Sequence, residues 1–135
     1  MTLEINKMSC IRDIQNAFCK SYPYLKIEFF DMPHHWGETT RKAHRYQPGF
    51  KVFDIERKKH VTGIIQFLPW MKTGQIEEQM KEQFGLFPQV YRRNGYEWIE
   101  TAGTDELSLD EQNEIGKKSI KNYHYNLWIE REILL

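Results

Sequence analysis

Residues 89–101 have the sequence "QVYRRNGYEWIET" and carry the strongest local structural signal of the chain. The Asn-Gly dipeptide at 94–95 is the preferred turn between two antiparallel strands, and apolar residues alternate on both sides of it. A two-residue turn at this dipeptide places Tyr91 opposite Trp98, with a pair of opposite charge on the other face. Both faces therefore carry large side chains, and we expect both to contact other parts of the protein or a partner.

The chain before the hairpin predicts one helix and three strands. Apolar residues at helical spacing predict a helix that Ser9 caps and that ends near Ser21. Residues 25–29 alternate between apolar and charged side chains and predict a half-buried strand. Residues 50–55 and 61–68 predict two further strands, separated by a charged turn.

The segments on either side of the hairpin predict helices. Residues 74–84 have apolar residues four apart, and Gly85 stands where a left-handed glycine ends a helix. The order of a helix followed by a strand thus occurs here and near the N-terminus. A duplicated unit and ordinary α+β construction explain this repetition equally well. Ser108 and Glu111 form a capping box, so a last helix begins there, and Gly116 is expected to weaken or end it.

The C-terminal extension, residues 117–135, fits two patterns. Tyr123 and Leu127 belong to an alternating, strand-like run, but together with Ile120 they also mark one face of a helix. We favour the helix, because the sequence continues without a turn signal. Together the patterns predict a single α+β domain over residues 1–135, with two or three helices packed on a mostly antiparallel sheet of four to five strands.

Composition excludes several classes of protein. Hydrophobic residues make up 40% of the chain and aromatic residues 14%, so a disordered chain is not expected. The mean hydropathy is −0.70. No apolar run reaches the ~18–20 residues that a membrane span needs, and the N-terminus has no signal-peptide pattern. We therefore expect a cytoplasmic protein that does not associate with a membrane.

The two cysteines, Cys10 and Cys19, both fall on the first predicted helix. Their spacing separates them by about 13 Å along a helix and puts them out of phase. They therefore cannot form a disulfide with each other or share a metal ion there. The sequence points to no cofactor.

Three motifs resemble a family of small, uncharacterised bacterial proteins. They are a helix ending in FGL at 84–86, a QVxRRxGxxWxET hairpin at 89–101, and a TDxxxLxEQNxxG helix start at 104–116. The "YPYLKIEFF" strand is also similar to the N-terminal part of that family. The family has no established activity. The resemblance therefore implies a consistent fold and a cytoplasmic bacterial setting, and it assigns no catalytic residues.

Residues 31–49 predict a long loop that contains a candidate metal site. Its candidate ligands, of types that zinc or nickel accepts, are His34, His35, Glu38 and His44. Adjacent residues of an extended chain point in opposite directions, so His34 and His35 do not easily bind one ion. We therefore expect a solvated exit loop with Trp36 packed against the body. A metal-dependent enzyme built on this loop is the second alternative function.

Charge is distributed unevenly although the net charge is zero. Residues 41–60 carry seven bases and two acids with aromatic residues between them, whereas residues 97–114 carry seven acids and no base. Bases interleaved with aromatic residues suit single-stranded nucleic acid, where rings stack on bases and cations contact phosphates. The zero net charge and the lack of a recognition motif argue against that function, so nucleic-acid binding is the first alternative.

The hairpin provides the candidate surface that we favour. Its anchor residues, of the types common in protein interfaces, are Arg92, Arg93, Tyr96 and Trp98. The sequence contains no nucleophile motif and no phosphate-binding glycine loop that would indicate catalysis. It therefore predicts a non-enzymatic interaction module. This module would bind a protein partner, or a second copy of itself, through the hairpin 89–101 and the loop 31–49 with its Trp36.

Overall fold

The computed structural model describes residues 2–31, 45–55 and 62–134, with side chains through Trp128 apart from position 125. Within these ranges the elements follow in the order β1 (Thr2–Ile5), α1 (Ile11–Ser21), β2 (Leu25–Phe30), α2 (Val52–Ile55), β3 (Gly63–Gln66), α3 (Thr73–Phe84), β4 (Phe87–Asn94), β5 (Glu97–Glu100), a short 3-10 helix (Ala102–Thr104) and α4 (Leu109–Leu134).

The described strands form two antiparallel sheets. β1 pairs with β3, and β4 lies between β2 and β5. Helices pack on these sheets, so the predicted α+β class is confirmed, although the strands are divided between two sheets instead of forming one. The sequence did not predict β1, because only Leu3 and Ile5 mark its alternation.

Two units of the chain have the same order of elements. β1, α1 and β2 form the first unit, and β3, α3 and β4 form the second. Each strand lies antiparallel to its counterpart, with Leu3 opposite Ile65 and Ile27 opposite Val90 near the centres of the two pairings. This arrangement resembles the isologous pairing of two identical subunits and favours the duplicated-unit interpretation.

One hydrophobic core lies between the helices and both sheets. The stripe of Ile11, Ile14 and Phe18 on α1 is fully buried, as its helical spacing predicts. The ring of Phe18 meets that of Phe67 edge-on, with centroids 5.1 Å apart. Each buried side chain of this size contributes roughly 1.5–3 kcal/mol, so the core fixes how the helices sit on the sheets.

The helix α1 is capped by Cys10 and not by Ser9 as predicted. The Asp13 carboxylate accepts the Cys10 N–H at 2.8 Å, while Ser9 Oγ accepts the Asn6 N–H at 3.0 Å. The next two N–H groups, of Ile11 and Arg12, donate to the backbone carbonyls of Phe50 and Pro48, both at 2.9 Å. These bonds satisfy donors that the start of a helix leaves open.

The strand predicted at 50–55 is wrong. Val52–Ile55 forms the one-turn helix α2, and Lys51 makes an isolated antiparallel bridge to Cys10. Val52 and Ile55 are buried, whereas Asp54 is exposed. Buried residues three apart fit a helical turn, while a strand would bury alternate residues.

The hairpin is present as predicted, but its register differs by two residues. Gly95 and Tyr96 form the turn, and Gly95 has a left-handed φ of +64°. Trp98 therefore lies opposite Arg93 and not opposite Tyr91. The positive φ decides this register, because the first central position of a tight hairpin turn requires it and glycine adopts it at little cost.

The last helix, α4, is continuous from Leu109 to Leu134, so the predicted helical tail is confirmed and the predicted end at Gly116 is wrong. At its start, the Ser108 hydroxyl accepts the Glu111 N–H and the Glu111 carboxylate accepts the Ser108 N–H, both at 3.1 Å. A Cβ added at Gly116 would lie 2.9 Å from the Tyr24 Cβ and 3.0 Å from the Tyr24 carbonyl oxygen. Gly116 therefore permits close packing of α4 on the sheet.

We predict that Gly116→Ala lowers the free energy of unfolding by about 1 kcal/mol, which is the difference between two opposing effects. The strain of overpacking, roughly 1–3 kcal/mol, outweighs the ~1 kcal/mol by which alanine favours a helix over glycine. Urea unfolding measures the change. Gly103→Ala is the matched control, because a Cβ there meets nothing within 4 Å. An unchanged or higher urea midpoint for Gly116→Ala would contradict the prediction.

Candidate interaction surface of the hairpin

The hairpin β4–β5 places its predicted anchor residues in different surroundings. Successive residues of a strand point to opposite faces, so Arg92 points toward α4 and Arg93 points away from it. The sheet face that points away from α4 is called the outer face, and its aromatic and basic residues near the hairpin turn are Lys26, Tyr91, Arg93 and Trp98. Tyr96 lies in the turn at the tip of the hairpin. The structure therefore does not combine the four anchor residues into one surface.

The side chain of Arg92 joins the hairpin to α4. Its Nη1 donates to Gln112 Oε1 at 2.7 Å, and Gln112 is fully buried. The Gln112 Nε2 in turn donates to the carbonyl and hydroxyl oxygens of Thr104 at 2.8 and 2.9 Å. Burial lowers the pKa of the Arg92 guanidinium from its ordinary value, although arginine stays charged in proteins. Arg92 thus serves the fold, and we do not assign it to a binding surface.

We predict that Arg92→Ala lowers the free energy of unfolding by about 1–3 kcal/mol. The substitution leaves the buried Gln112 Oε1 without its donor, and an unsatisfied buried acceptor costs an amount of this order. Urea denaturation measures the loss. Arg93→Ala is the matched control and should cost less than about 1 kcal/mol, since Arg93 lies on the outer face. Equal losses for the two variants would contradict the assignment.

The outer face carries a cluster of cations on aromatic rings. The guanidinium carbon of Arg93 lies 4.0 Å from the ring centroid of Trp98. The Lys26 Nζ lies 5.1 Å from the ring centroids of both Tyr91 and Trp98. These distances are within the ~6 Å over which a cation is attracted to a ring face. Arg93 Nη1 also donates to the Tyr96 carbonyl at 3.0 Å, so the guanidinium is held in place over the ring.

An ion-pair network borders this cluster on β2. Glu28 accepts from Arg45 Nη1 with both carboxylate oxygens at 3.2 Å, and its Oε1 lies 3.5 Å from the Lys26 Nζ. On the side of β2 that faces away from β4, the Gln15 side chain donates to the Ile27 carbonyl at 3.0 Å. β5 forms the other edge of this sheet. Arg45, a member of the basic stretch, therefore neutralises a carboxylate of the same chain.

The tip of the hairpin contacts α4 through aromatic rings. The rings of Tyr96 and Tyr123 meet edge-on with centroids 4.7 Å apart. The Tyr96 hydroxyl lies 3.1 Å from His124 Nε2, within hydrogen-bonding distance. Ser119 Oγ accepts the Gly95 N–H at 3.1 Å. These contacts fix the position of the turn on the helix. The sequence could not identify them individually, because they join residues that are distant along the chain.

Several predicted site residues lie outside the residues that the structure describes. They are His34, His35, Trp36, Glu38 and His44, together with 41–44 and 56–60 of the basic stretch. In the described ranges, no group of three or more His, Cys, Asp or Glu residues could hold a metal ion. Cys10 and Cys19 are free thiols. None of the described helices combines the length and apolar character required to cross a membrane.

An open groove lies between α3 and the start of β4, and the sequence did not predict it. Its lining residues are Gly74, Glu77, Glu78, Lys81, Phe87, Pro88 and Asp105. Glu77 is 6% exposed and Asp105 is 3% exposed, so two carboxylates are buried at its wall. The helical spacing of Gly74, Glu77 and Lys81 is the signal that could have placed them on one face of α3.

Comparison with protein-family models, curated proteins and solved structures finds no match to this chain. The family resemblance of its motifs is therefore still a prediction.

Proposed function

We propose that this protein is a non-enzymatic binding module that contacts a protein partner through the outer face of the hairpin. The observation that carries the proposal is the position of the Arg93 guanidinium over the Trp98 ring, with Lys26 on the same cluster. Arginine and tryptophan are the residue types that most often dominate the energy of protein interfaces. We also propose a cytoplasmic location for this module, as the sequence analysis expects.

The geometry of the cluster suits recognition because its side chains are already ordered. Arg93 is held both by the Trp98 ring and by the Tyr96 carbonyl, so binding would immobilise few additional rotamers. The half-buried Trp98 offers apolar area, and the cations beside it favour a carboxylate. We therefore expect a partner segment that places an apolar side chain on Trp98 and an acidic side chain near Arg93 and Lys26.

Single-stranded nucleic acid is the alternative that the same face supports. Cations beside an aromatic ring suit a stacked base and its phosphate. Two observations favour a protein partner instead. Tyr91 is only 5% exposed, which leaves Trp98 as the ring of this cluster that a base could reach. Arg45, from the basic stretch 41–60, pairs with Glu28.

We predict that the double variant Arg93→Ala/Trp98→Ala loses partner capture by about tenfold or more, because both anchor side chains are removed. Tagged protein is incubated with nuclease-treated native lysate, and the enriched partner is identified and quantified by mass spectrometry. The matched control is Arg12→Ala/Trp70→Ala, which removes the same two residue types from exposed positions elsewhere. Trp36→Ala measures what the loop 31–49 contributes to the same surface.

The outcomes separate the two functions. Equal capture by a folded Arg93→Ala/Trp98→Ala variant would contradict the assigned surface. Capture that disappears with nuclease, together with salt-sensitive binding of a single-stranded oligonucleotide that requires Trp98, would favour nucleic-acid binding. Urea unfolding of each variant shows whether the fold is intact.

A further inference from the structure

The helix α4 is longer than the sheet on which it packs. Its 26 residues span about 39 Å, whereas the 8 residues of β4 span about 27 Å. Leu109, Gly116 and Tyr123 repeat every seven residues and lie on the face of α4 that packs against the body and the hairpin tip. Leu127 continues that face one turn past the hairpin. The C-terminal part of α4 therefore projects beyond the sheet.

The projecting part of α4 and the hairpin turn together form an exposed aromatic and apolar surface. We call it the tip patch, and its residues are Tyr96, Tyr123, Leu127 and Trp128. Their exposed fractions are 59%, 40%, 37% and 57%. Tyr96 is held by the Tyr123 ring and by the His124 imidazole, so these rings have fixed positions although they face solvent. Ordered tyrosine and tryptophan at a surface are typical of protein interfaces.

We propose that the tip patch is the two-fold contact through which two copies of this chain associate. The surface involved is separate from the outer face, so this inference does not depend on the proposed function. In a two-fold contact the same patch is used by both copies, and it must be complementary to itself. The exposed charges beside the tip patch meet that requirement.

Charge complementarity is the reason to choose a second copy as the occupant. On the hairpin side the exposed acid Glu97 follows Tyr96 of the patch, and on the helix side the exposed base Lys121 lies two turns before Trp128 on the same side of α4. A two-fold rotation brings the hairpin side of one copy to the helix side of the other, so acid meets base twice. The formal net charge of zero also removes the long-range repulsion that would keep two copies apart.

The test measures association of the full chain by sedimentation velocity and equilibrium over a range of concentrations. The wild-type chain is expected to sediment as a dimer at about 100 µM. Trp128→Glu introduces a charge into the patch and should raise the dimer dissociation constant about tenfold or more. The matched control is Trp70→Glu, because Trp70 is 68% exposed and lies on the turn after β3, which contacts the first residues of α4 at the opposite end of that helix from Trp128. This control should leave the dissociation constant unchanged.

Charge reversal tests the two-fold arrangement itself. Glu97→Lys alone and Lys121→Glu alone should each weaken the dimer, because each places like charges opposite one another. The double variant Glu97→Lys/Lys121→Glu restores opposite charges across the contact, and it should recover most of the lost affinity. A merely structural role of either residue would not produce this recovery.

Three results would overturn the proposal. A chain that is monomeric at every concentration would show that a second copy does not bind the tip patch. A dimer that Trp128→Glu does not weaken, in a variant with an unchanged circular dichroism spectrum, would place the contact elsewhere. Equal weakening by Trp70→Glu would show that the effect is not specific to the patch.

Discussion

The close approach of α4 to the sheet at Gly116 is the constraint on which the surfaces of this protein depend. The missing Cβ lets the helix rest against Tyr24, and the same contact brings Gln112 to Arg92. Because strand residues alternate, an inward Arg92 requires an outward Arg93. One helix–sheet contact therefore decides which arginine serves the fold and which one lies over Trp98.

The contact at Gly116 also determines which residues of α4 lie beside and beyond the hairpin tip. With Gly116 fixed against the sheet and one residue advancing the helix by 1.5 Å, the following turns of α4 must pass the hairpin tip. Tyr123 reaches the tip and packs on Tyr96, while Leu127 and Trp128 lie beyond it. The exposed aromatic residues there are thus a consequence of helix length, because the sheet ends before the helix does.

The sequence predicted correctly the features that depend on neighbouring residues. It did not predict the features that depend on contacts between residues far apart in the chain. The capping box at Ser108 and the glycine ending α3 are satisfied within a few residues, and both are present. Gly116 allows α4 to pack closely on Tyr24, which is distant in sequence. An argument from helix propensity alone does not include that contact and therefore predicts that the helix ends at Gly116. The predicted register of the hairpin was wrong by two residues. The Asn-Gly dipeptide indicates that a turn is present, but it does not decide which two residues occupy the centre of that turn.

The candidate surfaces likewise depend partly on residue type, which the sequence shows, and partly on contacts between distant residues, which only the structure shows. Residue types alone identified Arg92, Arg93, Tyr96 and Trp98 as anchors. Only their contacts separate them into a half-buried arginine bonded to α4, a cluster on the outer face and a ring at the hairpin tip. The outer face and the tip patch do not overlap. A dimer joined at the tip patch would therefore leave both outer faces open, and two linked sites can bind a repeated or dimeric partner far more tightly than one. With such a partner, self-association and partner binding would reinforce each other, because a partner that bridges both outer faces also holds the two copies together.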